Sequence, residues 1–347
     1  MHYRNSQLSF SKLAFVDIDN TLTGDGSGTG NPKSIMKVRE LLKKNHYLYC
    51  PTTSRTEEMM MSQKSYQLSK KIYDFKRPEP KLIFEPPAIL DGEIIISSSG
   101  SKIFVKQTNN AYQEDICFYN KDFPDPQTWR NTITTQINSI NGIKKVFKLS
   151  PIEYIEQYVD GTSNAYPPDY RIQLNFTSVN DKLFFIRKLY KIKQSSKDIS
   201  INKLYLTDDS NPEKNKFSLY LTPKKGKIDA VNHVIKHLQT DLKITILELL
   251  FVGDSWPDLQ LGLFGATKIA NATFLLIGGS RLTKYLINPE KTEFAGEPLL
   301  EIKNNLIPSQ QKGVYYYKGK RYKRKIILGD IIDPGKIGPD SMIEFLS

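Results

Sequence analysis

Two aspartates stand one residue apart directly after an apolar run, in the segment AFVDIDNTLTGD at residues 14–25. The run before Asp17 is short and apolar, which is typical of a buried strand. Carboxylates as close as those of Asp17 and Asp19 repel each other unless protons or a cation offset their charge. The pair therefore indicates a chemical site at the end of a strand.

Hydroxyl residues, a lysine and two more aspartates occupy similar positions later in the chain. Residues 52–54 (TTS) follow a second apolar run, Asp254 ends a third with Asp258 shortly after it, and Lys227 opens a helical pattern. Ligands of open α/β sheets bind beyond the carboxyl ends of the strands, so we expect these residues to converge there. Since the set offers oxygen ligands without a His or Cys cluster, it favours Mg²⁺ and a substrate phosphate. Hydroxyls, backbone N–H groups and Lys227 would hold the phosphate oxygens.

The elements that must position these residues alternate between strand and helix. Strand patterns at residues 12–18 and 46–51 flank a helical pattern at 32–45, which predicts a βαβ unit of a parallel sheet. Further helices are predicted at 56–75, 127–140, 180–193, 224–238 and 257–264. Further strands are predicted at 90–105 (two, around a Ser/Gly turn), 169–178, 203–207, 217–222, 246–254 and 268–279 (one or two).

The order of the predicted strands and helices divides the chain of 347 residues into a core and an insertion that interrupts it. We predict an α/β, Rossmann-like fold whose core occupies residues 1–108 and 220–307. Residues 109–219 form an inserted α+β domain, and residues 308–347 form a C-terminal extension that packs on the core.

Composition limits the partners and the compartment. The net charge of +12 suits anionic ligands, namely phosphorylated metabolites, nucleic acid or acidic lipid surfaces. Cys50 and Cys117 are too few for a disulfide framework or a Cys-based zinc site, which favours a reducing compartment. No stretch approaches the roughly 18–20 apolar residues that span a bilayer. We therefore expect a cytoplasmic protein, although a non-hydrophobic export signal would leave no trace in this pattern.

The ordered motifs resemble those of the haloacid dehalogenase (HAD) superfamily of phosphohydrolases. Asp17-Ile-Asp19-Asn-Thr21 matches its first motif, Thr53 its second and Lys227 its third, and Gly253-Asp254-Ser255-Trp256-Pro257-Asp258 matches its fourth. The insertion between the second and third motifs resembles the class with a C2-type cap, within it the Cof-like and sucrose-phosphate-phosphatase-like branch. The stretch IISSSGSKIF resembles another segment of that branch, and KIANA resembles one that implies a place for Asn271 near the substrate.

The resemblance implies a covalent phosphatase mechanism. Asp17 would attack phosphorus to form an aspartyl-phosphate, and Asp19 would protonate the leaving oxygen and then activate water. The resemblance implies Mg²⁺ ligands from the Asp17 carboxylate, the Asp19 backbone carbonyl and Asp254. Thr53 and Lys227 would hold the phosphoryl oxygens, and the insertion would close over the site as a lid.

Supporting roles also follow from the resemblance. Asp258 would orient Lys227 or a metal-bound water. The remaining supporting residues are Thr21, Ser54, Arg55, Ser255 and Asn271. Lys224 and Lys225 are alternatives to Lys227 as the lysine of the third motif, and Thr52 is an alternative to Thr53 as the hydroxyl residue of the second. Tyr170, Arg171 and Lys182 are candidates to face the site from the insertion.

Two features of the sequence allow other interpretations. The basic, aromatic segment YYYKGKRYKRK at residues 315–325 is compatible with nucleic-acid or anionic membrane contact, but we favour a β-hairpin that turns at Gly319. The site leads us to expect a phosphomonoester hydrolase acting on a sugar phosphate or similar metabolite. The alternatives are a phosphomutase, or an effector protein that acts on or docks to phosphoprotein, phosphoinositide or nucleic acid.

Overall fold

Apolar runs of four to six residues form most of the strands of the structure, and amphipathic segments form its helices. The computed structural model describes residues 10–23, 31–55, 92–106, 112–115, 118, 123–140, 147–149, 170–176, 178–208, 210, 217–224, 226–280, 282–287, 302, 304–319 and 322–347. The helix predicted at 56–75, Cys117 and Lys225 lie outside these ranges.

The described elements match most of the predicted ones in kind and place. The strands are β1 (Lys12–Val16), β2 (Tyr47–Pro51), β3 (Ile94–Ser97), β4 (Lys102–Lys106), β5 (Tyr112–Glu114), β6 (Phe147–Leu149), β7 (Ile172–Phe176), β8 (Tyr205–Asp208), β9 (Phe217–Thr222), β10 (Glu248–Gly253), β11 (Ala272–Leu276), β12 (Leu306–Pro308), β13 (Val314–Lys318) and β14 (Lys323–Leu328). The helices are α1 (Pro32–Lys44), α2 (Pro126–Ser139), α3 (Val179–Ser195), α4 (Ile199–Asn202), α5 (Lys227–Thr240), α6 (Trp256–Phe264), α7 (Leu282–Ile287), α8 (Gly329–Ile332) and α9 (Pro339–Leu346).

The central sheet is mainly parallel. Its strand order is β12-β13-β14-β11-β10-β1-β2, and the four pairs from β14 to β2 are all parallel. β1 lies between β10 and β2, and its residues 13–16 are buried, as expected for a strand covered on both faces. The predicted α/β class is confirmed by this arrangement.

Helices cover both faces of this sheet. Phe15 stacks on Phe251 of β10 on the face that packs against Val231 of α5, so that α5 and α6 cover this side. On the opposite face Val16 belongs to a second apolar cluster with Val38 of α1 and Met342 of α9. The alternation of side chains along β1 thus supplies both cores.

Two antiparallel sheets lie between β2 and α5 in the sequence, the first of them mostly within the predicted first part of the core. β3, β4 and β5 make a three-stranded sheet, and an isolated parallel bridge joins Thr52 to Ile96 of β3. β6, β7, β9 and β8 make a four-stranded sheet in that order. Helices α2, α3 and α4 lie in the same stretch of sequence, and their buried Trp129, Phe185 and Ile201 belong to the same apolar cluster as β7. An inserted α+β unit is therefore present, and its exact boundaries stay a prediction.

The C-terminal segment extends the central sheet. β13 and β14 form an antiparallel hairpin in which the N–H of Gly319 donates to the carbonyl of Tyr322 at 3.0 Å, as the preferred interpretation of this region expects. β14 also pairs in parallel with β11, so it is an inner strand. The sequence pattern predicted a hairpin packed on the core; the structure places it within the sheet.

The structure also bears on the expectations about cysteine and about membrane-spanning segments. The thiol of Cys50 is buried and forms no disulfide with any described residue. Among the residues that the structure describes, none of the helices has the length and apolar character needed to cross a membrane.

Candidate active site

The carboxyl ends of three parallel strands bring the predicted residues together. The N–H of Asp17, after β1, donates to Val252 of β10 at 2.9 Å, and the N–H of Thr52, after β2, donates to Val16 at 2.8 Å. Val16 is in register with both Val252 and Pro51. The backbone ladder therefore aligns the ends of β1, β2 and β10 at one edge of the sheet.

Lys227 connects two of the predicted aspartates. Its Nζ donates to Oδ1 of Asp17 at 2.7 Å and to Oδ1 of Asp258 at 2.6 Å. All three side chains are at least nine-tenths buried, with exposed fractions of 4% for Lys227, 8% for Asp17 and 3% for Asp258. Buried ions of opposite charge require such pairing, because an unpaired charge in this environment costs several kcal/mol.

Asp258 is placed by the start of α6 and by a glycine. Ser255 is the N-cap residue of this helix and forms a capping box with Asp258, whose Oδ2 accepts from the Ser255 N–H at 3.3 Å. A Cβ atom at Gly253 would lie 2.2 Å from Cβ of Asp258, so only glycine lets the carboxylate pack against the end of β10. Asp258 thus caps its helix and also contacts Lys227.

Three carboxylates form a cluster that fits a hard divalent cation. Asp17, Asp254 and Asp258 each place an oxygen within 4.8 Å of the others. Carboxylate oxygens are the donors that Mg²⁺ prefers. The three negative charges exceed the single charge of Lys227, so a divalent cation would balance the cluster. Asp19 was predicted to contribute through its backbone carbonyl, and that contribution stays a prediction.

The electrostatics of Asp17 reflect the same imbalance. Burial raises its pKa well above the usual range, Asp258 raises it further, and Lys227 acts in the opposite direction. Burial lowers the pKa of Lys227, but Asp17 and Asp258 together bring it above its ordinary value. Lys227 is therefore a cation at neutral pH, and additional positive charge near Asp17 would favour its ionised form.

Asp19 lies apart from the acidic cluster and pairs with Arg55. Nε of Arg55 donates to Oδ1 and Oδ2 of Asp19 at 2.9 and 2.8 Å, and its Nη2 also bonds Oδ1. Arg55 is almost fully buried, whereas the side chain of Asp19 is 42% exposed. The two aspartates of the first motif consequently differ in environment: Asp17 is buried beside Lys227, and Asp19 lies at the surface of the site.

The loop after β2 is fixed by backbone bonds. Thr53 is fully buried, its N–H donates to Ile96, and its Oγ1 accepts from the Arg55 N–H at 3.1 Å. Because Oγ1 accepts there, its hydroxyl proton is available for another acceptor. Thr52 is also buried, but its hydroxyl donates to Cys50 within the strand. The hydroxyl proton of Thr53 is thus free of these backbone bonds, whereas that of Thr52 is used within the strand.

Thr21 closes the turn that follows β1. Its Oγ1 donates to Oδ2 of Asp17 at 3.5 Å, and the N–H of Leu22 returns to Ile18 at 2.9 Å. Thr23, which the sequence pattern did not single out, accepts from the N–H of Asn20 at 2.9 Å. The turn therefore supports one oxygen of Asp17 while Lys227 binds the other.

Asn271 is a prediction that the structure contradicts. It is exposed and precedes β11, where its carbonyl accepts from the N–H of Leu249 at the beginning of β10. This is the edge of the sheet opposite to Asp254, because β10 and β11 run parallel. The carboxyl end of β11 instead leads to Ser280, whose Oγ donates to the Asp254 carbonyl at 2.6 Å. The sequence analysis did not single out Ser280, for which the turn pattern IGGS was the only signal.

Lys224, the alternative to Lys227, and the candidate residues of the insertion form hydrogen bonds outside the acidic cluster. Nζ of Lys224 donates to the carbonyl of Phe118 at 2.8 Å and lies 4.8 Å from its ring centroid. Lys182 pairs with Asp208 at 2.5 Å within the insertion. Tyr170 donates to Pro124 at 2.5 Å. Arg171, the third candidate, contacts the core: its Nη1 donates to the carbonyl of Ser54 at 2.8 Å.

The protein is an α/β protein with a mainly parallel central sheet. Acidic and basic side chains lie at the carboxyl edge of this sheet, and an α+β unit is inserted into the sequence that forms it. No protein-family model matches the chain, and no curated protein matches it in sequence. In fold it is similar to a haloacid dehalogenase-like hydrolase from Bacillus subtilis, at 12% identity over 79% of this chain and 85% of that one, with a TM-score of 0.42.

Two further solved structures are phosphatases. A HAD subclass IIB sugar phosphatase is 14% identical over 78% of this chain and 89% of its own, with a TM-score of 0.42. Trehalose-6-phosphate phosphatase from Aspergillus fumigatus is 10% identical over 78% of this chain and 84% of its own, with a TM-score of 0.44. These similarities, at 10–14% sequence identity, concern the fold alone.

Proposed function

We propose that this chain is a phosphomonoester hydrolase of the HAD type. The observation that carries the proposal is the ammonium group of Lys227 between Asp17 and Asp258, beside Asp254. These residues come from three separated parts of the chain, and they meet where a parallel sheet binds its ligands. The motif resemblance gives each of them a role in phosphoryl transfer.

Asp17 is the nucleophile in this proposal. One of its carboxylate oxygens attacks phosphorus, the bond from phosphorus to the ester oxygen breaks, and an aspartyl-phosphate forms. Asp19 gives a proton to the leaving alkoxide and then takes one from the water that attacks phosphorus. Hydrolysis returns Asp17 and releases inorganic phosphate. The exposure of Asp19 supports this role, since it must meet both the leaving group and water.

Lys227 and Thr53 bind the transferred group. Lys227 offers a buried positive charge, and Thr53 offers a hydroxyl at the adjacent strand end. Mg²⁺ would be held by Asp17, Asp254 and the Asp19 carbonyl, and it would supply positive charge to phosphate oxygens. Asp258 orients Lys227. Phosphoryl transfer depends mainly on such positioning and charge compensation.

The substrate that we propose is a sugar phosphate or a similar small phosphorylated metabolite, in line with the motif resemblance. The net charge of +12 favours an anionic substrate. Two residues of the basic segment, Tyr317 and Arg324, are buried, which supports a packing role for that segment over docking to nucleic acid or membrane. We also propose a cytoplasmic location from the scarcity of cysteine.

The test compares Asp17→Asn with the wild type on p-nitrophenyl phosphate in the presence of Mg²⁺. We expect the variant to lose at least about 10³-fold in kcat, because an amide is a poor nucleophile. Asp241→Asn, at the opposite end of α5 from Lys227, is the matched control and should keep the wild-type rate. Equal phosphate release by Asp17→Asn and the wild type would refute the covalent mechanism. A phosphomutase would retain the phosphoryl group in an organic product.

A further inference from the structure

The loop after β11 lies beside the end of β10. It begins at Ile277, whose N–H donates to the carbonyl of Gly253 at 3.2 Å. It ends at Ser280, whose Oγ donates to the carbonyl of Asp254 at 2.6 Å. Ser280 is buried, and its Oγ also accepts from the N–H of Leu282 at 3.2 Å, so the direction of its hydroxyl is fixed. The loop therefore supports the backbone of Asp254.

Helices α8 and α9, which follow the last strand of the sheet, hold the middle of this loop. The N–H of Gly279 donates to Oδ1 of Asp330, in α8, at 2.6 Å. The N–H of Gly278 donates to Oγ of Ser341, in α9, at 3.1 Å. A carboxylate acceptor makes the first of these bonds stronger than a bond between neutral groups. The position of the loop therefore depends on two side chains that lie 51 and 63 residues further along the chain.

The two glycines let the loop approach the C-terminal helices closely. A Cβ atom at Gly278 would lie 1.8 Å from the carbonyl oxygen of Lys336, so a larger residue would push the loop away. The carbonyl of Gly278 also accepts from the N–H of Gly338 at 3.3 Å. Gly279 has a φ of 81°, in the left-handed region that favours glycine. The contact between the loop and these helices is therefore specific in both backbone shape and hydrogen bonding.

The acidic cluster is sensitive to the placement of Asp254. Lys227 bridges Asp17 and Asp258, and Asp254 is the least buried member of the cluster. Mg²⁺ demands a nearly ideal octahedral set of oxygen ligands, so a carboxylate that is held loosely binds it less tightly. Residues that orient metal ligands from outside commonly change metal affinity by about 10–100-fold. We therefore expect the contacts of the loop after β11 to affect metal binding as well as folding.

We propose that Ser280 and Asp330 are positioning residues that set the affinity of the acidic cluster for Mg²⁺ by fixing Asp254. Ser280 acts on the backbone of Asp254 directly, and Asp330 acts through the loop that carries Ser280. The inference rests on the proposed function, which assigns Asp254 to the metal. It gives the C-terminal helices a part in the site, although they lie far from all four motifs in the sequence.

The test measures Mn²⁺ binding to the full-length protein without substrate, from the loss of the electron paramagnetic resonance signal of free Mn²⁺. Carboxylate sites that suit Mg²⁺ also suit Mn²⁺. We expect Ser280→Ala to raise the Kd of Mn²⁺ by about tenfold and Asp330→Ala to raise it by about fivefold. Asp340→Ala is the matched control, because it removes the same charge from α9 but breaks a bond to Ser34 of α1, and it should keep the wild-type Kd.

Asp330→Asn separates position from charge. Asparagine keeps an oxygen that can accept from the N–H of Gly279, but it loses the negative charge as alanine does. A positioning role therefore predicts a Kd within about twofold of the wild type in Asp330→Asn, since the hydrogen bond is retained. If Asp330→Asn binds Mn²⁺ as weakly as Asp330→Ala, the carboxylate attracts the cation by its charge alone, and its positioning role is wrong.

Urea unfolding of the metal-free protein shows which variants are folded. Should Asp330→Ala fail to fold, Ser280→Ala carries the same test, since it removes a single hydroxyl. The inference is overturned if the wild type does not bind Mn²⁺, or if the Kd of the folded variants stays within about twofold of the wild-type value. Hydrolysis of p-nitrophenyl phosphate tests the proposed function separately: a wild type that shows the expected pattern of Mn²⁺ binding but releases no phosphate would refute the hydrolase and support the positioning role.

Discussion

At the scale of single residues, Lys227 is the feature on which the site depends most. It bonds two buried carboxylates and is itself buried, so its removal would leave Asp17 and Asp258 facing each other. We expect Lys227→Met to lower kcat/KM for p-nitrophenyl phosphate by about 10²–10³-fold, the usual effect of losing one preorganised charged donor. Steady-state kinetics with saturating Mg²⁺ measure this directly.

The same variant should respond more strongly to Mg²⁺ in thermal unfolding. A cation offsets the carboxylates that Lys227 no longer offsets, so added Mg²⁺ should raise Tm by more in Lys227→Met than in the wild type. Lys236→Met, on the exposed side of the same helix, is the matched control for both measurements. Wild-type activity in Lys227→Met would show that this lysine is not the phosphate-binding cation.

Residue types and spacing were sufficient to predict the convergence of Asp17, Lys227, Asp254 and Asp258. Each lies at or near the end of a strongly periodic element. Because the carboxyl ends of parallel strands lie at one edge of the sheet, these residues must come close together. Asn271 was placed wrongly because the apolar stretch at 268–279 does not reveal where its strand begins. β11 begins at Ala272, which puts Asn271 at the far edge. Arg55 was predicted only as a supporting residue, since its bond to Asp19 depends on side-chain geometry that spacing does not determine.

At the scale of secondary-structure elements, Arg324 of β14 joins the hairpin to the end of α6. Its guanidinium is fully buried and donates to the carbonyls of Gly265, Ala266 and Ile269 at 2.8, 2.9 and 2.7 Å. A cation at a helix C-terminus satisfies carbonyls that the helix leaves without partners and complements the helix dipole.

We expect Arg324→Met to destabilise the protein by about 3 kcal/mol or more, because three buried carbonyls lose charged donors. The urea midpoint should fall accordingly. Lys325→Met, the neighbouring basic residue of the same strand, should change stability by no more than about 0.5 kcal/mol. Similar midpoints for the two variants would mean that the carbonyls find other partners without cost.

Most elements were predictable from local patterns, but the partner of β14 was not. Alternation in residues 315–325, with a turn at Gly319, predicts a hairpin because both strands are adjacent in sequence. The pairing of β14 with β11 joins segments that are distant in sequence, and no local pattern encodes it. Buried Arg324 obscured the assignment further, since a basic residue normally indicates an exposed face.

At the scale of the whole molecule, described residues of the inserted unit contact the core close to the site. β9 of the insertion ends at Thr222, a few residues before Lys227 opens α5. Arg171, which precedes β7, donates to Ser54 at 2.8 Å and packs 4.3 Å from the ring of Tyr220. The motif resemblance implies a lid role for the insertion, and a lid held by this contact would exclude water from the reacting group and position the loop that carries Thr53.

Arg171 should therefore affect turnover more than folding. We expect Arg171→Met to lower kcat/KM for the preferred phosphorylated metabolite by about tenfold, since misplacing the lid disturbs the alignment of the reacting groups. Its urea midpoint should change little, because the methionine side chain can still pack on Tyr220. Arg187→Met, an exposed arginine of α3, is the control and should match the wild type in both measurements. If Arg171→Met loses stability without loss of turnover, the contact with Ser54 holds the fold together and does not position the lid for catalysis.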